Sequence, residues 1–127
     1  MNNLNQILDL KIKNLNYSYN QLSQANKNLK FFYIDKIKQI KEDIIDIECQ
    51  IIYEKNNNLL DIIDIHGAKK QFVDYYLFDL ILSKQNIKVI TLITGKGGYV
   101  LYNLVKKFLL ENCFIFKIEN NNFKIFL

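Results

Sequence analysis

The chain contains no arginine, no proline and no tryptophan, and its 127 residues include only four glycines and one histidine. All 17 basic side chains are therefore lysines. Abundant Ile and Asn accompany them, a pattern of A/T-rich coding, so the choice of Lys over Arg carries little functional weight. Cysteine is scarce too. Cys49 and Cys113 are far apart and match no metal-ligand spacing, which predicts buried thiols in a reducing compartment rather than a disulfide. No apolar run approaches the ~20 residues that span a bilayer, and the N-terminus lacks the order of a signal peptide. The expectation is a soluble, cytoplasmic protein with no membrane contact.

Half of the residues are hydrophobic, with eight Tyr and nine Phe, which is enough to bury a core and excludes wholesale disorder. The length fits one compact domain, or a small domain with an extension. The net charge is +4. Up to Asn58 the chain carries 8 Lys against 7 acids, and after it 9 Lys against 6. This excess permits a nucleic-acid partner without requiring one.

All four glycines, Gly67, Gly95, Gly97 and Gly98, fall in the second half. The first 66 residues therefore lack both strong helix breakers. Leu8, Ile12, Leu15, Tyr19, Leu22 and Leu29 form one helical seam, and Ile37, Ile40, Ile44, Ile47 and Ile51 another. The spacing predicts a helical hairpin over residues 1–58 that reverses within Asn14–Asn28, where Asn competes for backbone hydrogen bonds. The alternative is a seam that pairs with a partner chain or a second copy. After Asn58 the period changes. Strands are predicted at Leu60–Ile65 and Ile87–Ile93, the latter buried on both faces. Helices are predicted at Gln71–Ser83 and Val100–Leu110. Further strands at Cys113–Ile118 and Phe123–Phe126 are joined by the tight turn Glu119–Asn122. The fold class is thus α+β: a helical extension, 1–58, before a β-α-β-α-β-β unit, 59–127.

Two polar motifs hold all the glycines: Asp64-Ile65-His66-Gly67 and Thr94-Gly95-Lys96-Gly97-Gly98. Each lies where a strand runs into a helix. A right-handed crossover makes those strands parallel and brings both motifs to one sheet edge, where open α/β sheets bind ligands. The second motif has two readings. Its glycines simply permit a tight turn, or its free N–H groups and Lys96 cradle a phosphate. It is not a Walker loop, so ATP or GTP chemistry is disfavoured. His66 also has two readings, a structural imidazole or an acid–base group. Asp64, two residues earlier on the same strand face, is placed to orient its ring over a phosphodiester. One His and two distant Cys do not make a zinc site, and no cofactor is implied.

The two motifs together resemble the Smr (small MutS-related) domain, with its L-D-L-H-G and T-G-x-G segments. Here these read Ile63-Asp64-Ile65-His66-Gly67 and Thr94-Gly95-Lys96-Gly97. The match covers about Leu59–Leu127, the last strand Phe123–Leu127 included, and Ile47–Asn57 resembles a helical extension that precedes this domain in many eukaryotic members. The resemblance implies a fold similar to the C-terminal domain of bacterial translation initiation factor three, and RNA or alternatively DNA as partner, in some members at ribosomes. By the same resemblance Asp64 and His66 would be the catalytic pair of a nuclease. Gly67, Thr94, Gly95, Lys96, Gly97 and Gly98 would hold the phosphate.

The chain departs from the family where Gly98-Tyr99-Val100 follows in place of the x-H-S of many members, in a shortened region before the last strand, and in the missing Arg. Two functions follow: an RNA endonuclease working by His/Asp acid–base chemistry, or a catalytically degenerate module that binds RNA or ribosomes without cutting. A third is an interaction protein whose helical hairpin self-associates.

Overall fold

The computed structural model describes residues 2–127. The element order is α1 (Asn2–Gln24), α2 (Lys27–Asn57), β1 (Ile62–Asp64), α3 (Lys70–Tyr75), α4 (Leu77–Leu82), β2 (Val89–Ile93), α5 (Tyr99–Glu111), β3 (Ile115–Glu119) and β4 (Asn122–Phe126). The chain is α+β, a helical N-terminal region followed by a small mixed sheet. It divides into two compact units, one running to Ile51 and the other Ile52–Leu127. The division falls inside α2, so the last turns of this helix belong to the second unit rather than to the extension.

In the first unit the chain reverses at Ala25-Asn26, within the Asn-rich stretch. Asn26 supplies the cap: its Oδ1 accepts from the N–H groups of Asn28 at 3.1 Å and Leu29 at 3.0 Å. This satisfies two of the orphan donors that open α2. Lys11 of α1 pairs with Asp43 of α2 at 3.1 Å, and Lys41 sits over the Tyr19 ring. The Lys11 hydrogen bond, then that from Gln39, hold the Asp43 carboxyl below its ordinary value. The α2 seam is the better buried: Ile37, Ile40 and Ile47 are covered, whereas Ile12, Tyr19 and Leu29 of the other seam are exposed. No helix among the described residues is long and apolar enough to cross a membrane.

The second unit is built on a four-stranded sheet in the order β1-β2-β4-β3. β1 and β2 are parallel, while β4 is antiparallel to both β2 and β3. Ile63, Leu92 and Phe123 lie in register across three strands, and Ile90 pairs with Ile125 across two. All five are fully buried. They share the core with Phe72, Val73, Leu77, Leu80, Ile81, Val105 and Leu109 from the helices. Because α3 and α5 also contact each other, both helical connections pack on the same sheet face. That corrects the expectation that β2 is buried on both faces: Val89, Thr91 and Ile93 alternate as half-buried residues.

Other boundaries shift for local reasons. The single helix expected over Gln71–Ser83 is broken at Tyr76, where φ is −121°. Hydrogen bonds from Tyr76 N to Phe72 O and from Leu80 N to Tyr76 O still bridge the break. β1 is only three residues long, with Leu60 exposed before it. Cys113 does not open β3. It takes a left-handed φ of 60° and closes the end of α5 through Cys113 N to Leu110 O and Phe114 N to Leu109 O. Its thiol is exposed rather than buried, whereas Cys49 is buried; neither forms a disulfide. Asn120 and Asn121 turn the β3–β4 hairpin with φ of 52° and 65°, and Glu119 pairs with Asn122. Two successive positive φ angles define the type I′ turn, which Asn tolerates.

The fragment Ile52–Leu127 is expected to melt cooperatively by circular dichroism. A fragment starting at Leu59 lacks Asn56 and should melt at a lower temperature or without cooperativity. Equal melting of the two would contradict this division.

Candidate functional site

Asp64 ends β1, the outer strand of the sheet. Its neighbour Ile65 donates to Ile93 O at 2.9 Å, so the backbone groups of Asp64 itself face away from β2. Asn56, fully buried near the end of α2, takes both of them. Its Oδ1 accepts from Asp64 N at 2.7 Å and its Nδ2 donates to Asp64 O at 2.9 Å, with a further bond to Ile52 O at 2.8 Å. Lys84, only 7% exposed, in turn donates to Asn56 O at 2.9 Å and to Leu59 O. Its ammonium thus caps the carbonyl end of α2, and burial lowers its pKa. Neither residue stands out in the sequence, where Asn56 is one of three consecutive asparagines at the end of the helical extension. The buried Lys left no local signal.

With its backbone pinned, Asp64 turns its carboxylate toward His66. Oδ1 lies 2.8 Å from His66 Nδ1 and accepts from the His66 backbone N–H at 3.1 Å. Partial burial works to raise the Asp64 pKa. The side-chain and backbone hydrogen bonds of His66 outweigh it, helped by the charges of His66 and Lys55, and hold the carboxyl below its ordinary value. An ionised Asp64 can only accept, so the imidazole presents its N–H from Nδ1 and leaves Nε2 for a ligand.

The glycine loop lies directly against this pair. Gly95 has φ +85°, and a Cβ built on it would stand 2.8 Å from His66 Cβ. Only glycine fits there. Gly67 and Gly98 also have positive φ, whereas Gly97 has an ordinary φ and open space around it. Gly98 precedes α5 at its N-cap, but its N–H donates to Lys96 O at 3.1 Å and is turned into the loop. The N–H groups of Gly95, Lys96 and Gly97 have no backbone partner, and Lys96 forms no ion pair, among the described residues. Thr94 is buried at the root of the loop.

His66, Gly67 and all of Thr94–Gly98 line one cleft of about 670 Å³. Every residue singled out in the two motifs thus borders one space, except that Asp64 stands behind His66. Lys69 and Lys70 line it too, with Lys70 paired to Asp74 at 2.7 Å. No three His, Cys, Asp or Glu side chains among the described residues gather as metal ligands. The arrangement offers a proton-transferring imidazole, a carboxylate that orients it, and a cationic loop of free N–H groups for an anion. No protein-family model, no curated protein and no solved structure matches this chain.

Gly95→Ala is expected to cost about 1–3 kcal/mol, because it meets both a left-handed φ and the His66 side chain. Thermal melting and the His66 ring resonances would report it, and unchanged values would contradict the close contact. The lowered pKa of Asp64 adds stability that is complete above the ordinary carboxyl value of 3.8 and is lost as pH falls through the lower folded-state value. Denaturant unfolding from about pH 5 to about pH 2 should show this loss in the wild type and a shallower one in Asp64→Asn.

Proposed function

We propose that the second unit is an Smr-like nucleic-acid module that cleaves RNA, with Asp64 and His66 as its acid–base pair and the Thr94–Gly98 loop as its phosphate site. The observation that carries this reading is the contact of Gly95 with His66, which sets a positioned imidazole beside a cationic loop in one cleft. The order β1-α3-α4-β2-α5-β3-β4, in which α3 and α4 together form the first crossover, with both helical connections on one face, supports the Smr-like sandwich.

In this mechanism His66 Nε2 takes the proton of a ribose 2′-hydroxyl, and the freed oxygen attacks the adjacent phosphorus. The bond to the 5′-oxygen breaks as that oxygen takes the proton from the His66 imidazolium, giving a 2′,3′-cyclic phosphate and a 5′-hydroxyl and restoring the neutral imidazole. Asp64 holds the ring and stabilises the imidazolium. Lys96 and the loop N–H groups offset charge on the phosphoryl oxygens. The resemblance alone extends this reading to RNA at ribosomes.

One observation favours a second reading, binding without cleavage. Tyr99 and Val100 stand where the family carries a His and a Ser, which leaves His66 as the only imidazole for both proton transfers.

The test is incubation of the full chain with labelled single-stranded RNA, with and without magnesium, beside His66→Ala. Cleavage by the wild type should fall by ~10²–10⁴-fold in the variant, while RNA affinity stays within a few-fold. Binding without cutting by the wild type leaves the non-cleaving module. A joint loss of melting temperature and affinity in His66→Ala would make His66 structural.

A further inference from the structure

The glycine loop has a second side. Beyond it, away from His66, lies another cleft, of about 480 Å³, within the ~300–1,000 Å³ range of small-ligand sites. Gly95, Lys96 and Gly98 border both clefts, so the loop is a shared wall. The far wall is the β3–β4 turn, Asn120–Asn122, and the floor is Tyr99 and Tyr102 from the first turn of α5. β3 runs parallel to β2, which brings the hairpin turn to the same sheet edge as the two motifs.

The chemistry of this cleft differs from that of the first. Tyr99 is 69% exposed, yet its ring is not loose. It meets Tyr102 edge-on with centroids 5.9 Å apart, Tyr102 packs on Phe123 at 4.8 Å, and Phe123 is fully buried. The outermost ring of an aromatic ladder anchored in the core thus presents itself at the cleft. A ring with two χ angles held in this way costs little entropy when something flat stacks on it. Opposite it, Asn120 and Asn121 are fixed by the I′ turn, and the side-chain amides of Asn120–Asn122 make no hydrogen bond among the described residues. Each amide carries both donors and an acceptor, which is the mixed pattern of a nucleobase edge.

We propose that this second cleft is a nucleobase site. The base of a nucleotide stacks on Tyr99 and pairs its edge with the hairpin asparagines, while its phosphate lies on the Lys96 loop between the two clefts. The inference rests on the RNA reading above and narrows its substrate to single-stranded RNA, because a paired and stacked base has no free face or edge to offer.

The experiment compares the binding of a short single-stranded RNA with that of an abasic ribose-phosphate oligomer of the same length, using the full chain and its Tyr99→Ala and Tyr99→Phe variants. The wild type should prefer the base-bearing oligomer by about 10-fold, the scale of one stacked base. Tyr99→Ala should lose that preference and bind both as the wild type binds the abasic oligomer, with an unchanged slope against salt. Tyr99→Phe should keep the preference. Equal binding of the two oligomers by the wild type, or a preference that survives in Tyr99→Ala, overturns the base site and leaves the phosphate loop standing. Binding of neither oligomer overturns both this site and the RNA reading. The exposure of Tyr99 means that Tyr99→Ala should melt with the wild type, which circular dichroism checks.

Discussion

Asp64 sits on an open sheet edge, and its N–H and C=O would point into a partly buried space with no strand to receive them. Asn56 receives both, in the way a neighbouring strand would, and does so from a helix. Three costly groups settle one another there: the edge backbone of Asp64, the unsatisfied carbonyl end of α2, and the buried ammonium of Lys84. A short three-residue strand cannot hold its last residue firmly by pairing alone. The Asn56 clamp makes the position of the Asp64 carboxylate, and through it the His66 ring, a property of the whole unit.

A second constraint joins the two halves of the site. Parallel pairing of β1 and β2 brings their following turns side by side, and the missing Cβ of Gly95 lets them touch. Asp64 and His66 belong to the first turn and the Lys96 loop to the second, so the proposed site needs both motifs. Within the loop the glycines are not equivalent. Gly95 is required by space and by φ and Gly98 by φ, whereas the geometry asks nothing of Gly97.

The sheet topology explains both why the two motifs meet at one edge and why β2 is covered on one face only. The apolar run Ile87–Ile93 suggests a strand covered on both sides, as in doubly wound sheets. Here both helical connections return across the same face, so only alternate residues reach the core. The strand directions bring the β3–β4 turn to the edge where the motifs lie. Its positive-φ asparagines then face the glycine loop rather than empty solvent.

Local chemistry in the chain was sufficient for much of this. The lack of Gly and Pro before residue 67 dictated long helices, the Asn-rich stretch located their reversal, and the change of period after Asn58 marked the sheet. The spacing of Asp64, His66 and the Thr94–Gly98 loop named the residues that meet. These are effects of neighbours in sequence, which periodicity and turn chemistry report directly. Only the tertiary structure decided that Asn56 and Lys84 support Asp64, that Gly98 turns its N–H inward, and that Tyr99 and the hairpin asparagines close a second cleft. Each of these depends on which groups face one another across distant segments. A single Asn or Lys reads the same in sequence whether it ends a helix in solvent or satisfies a buried strand edge, because what distinguishes the two is the partner that folding supplies.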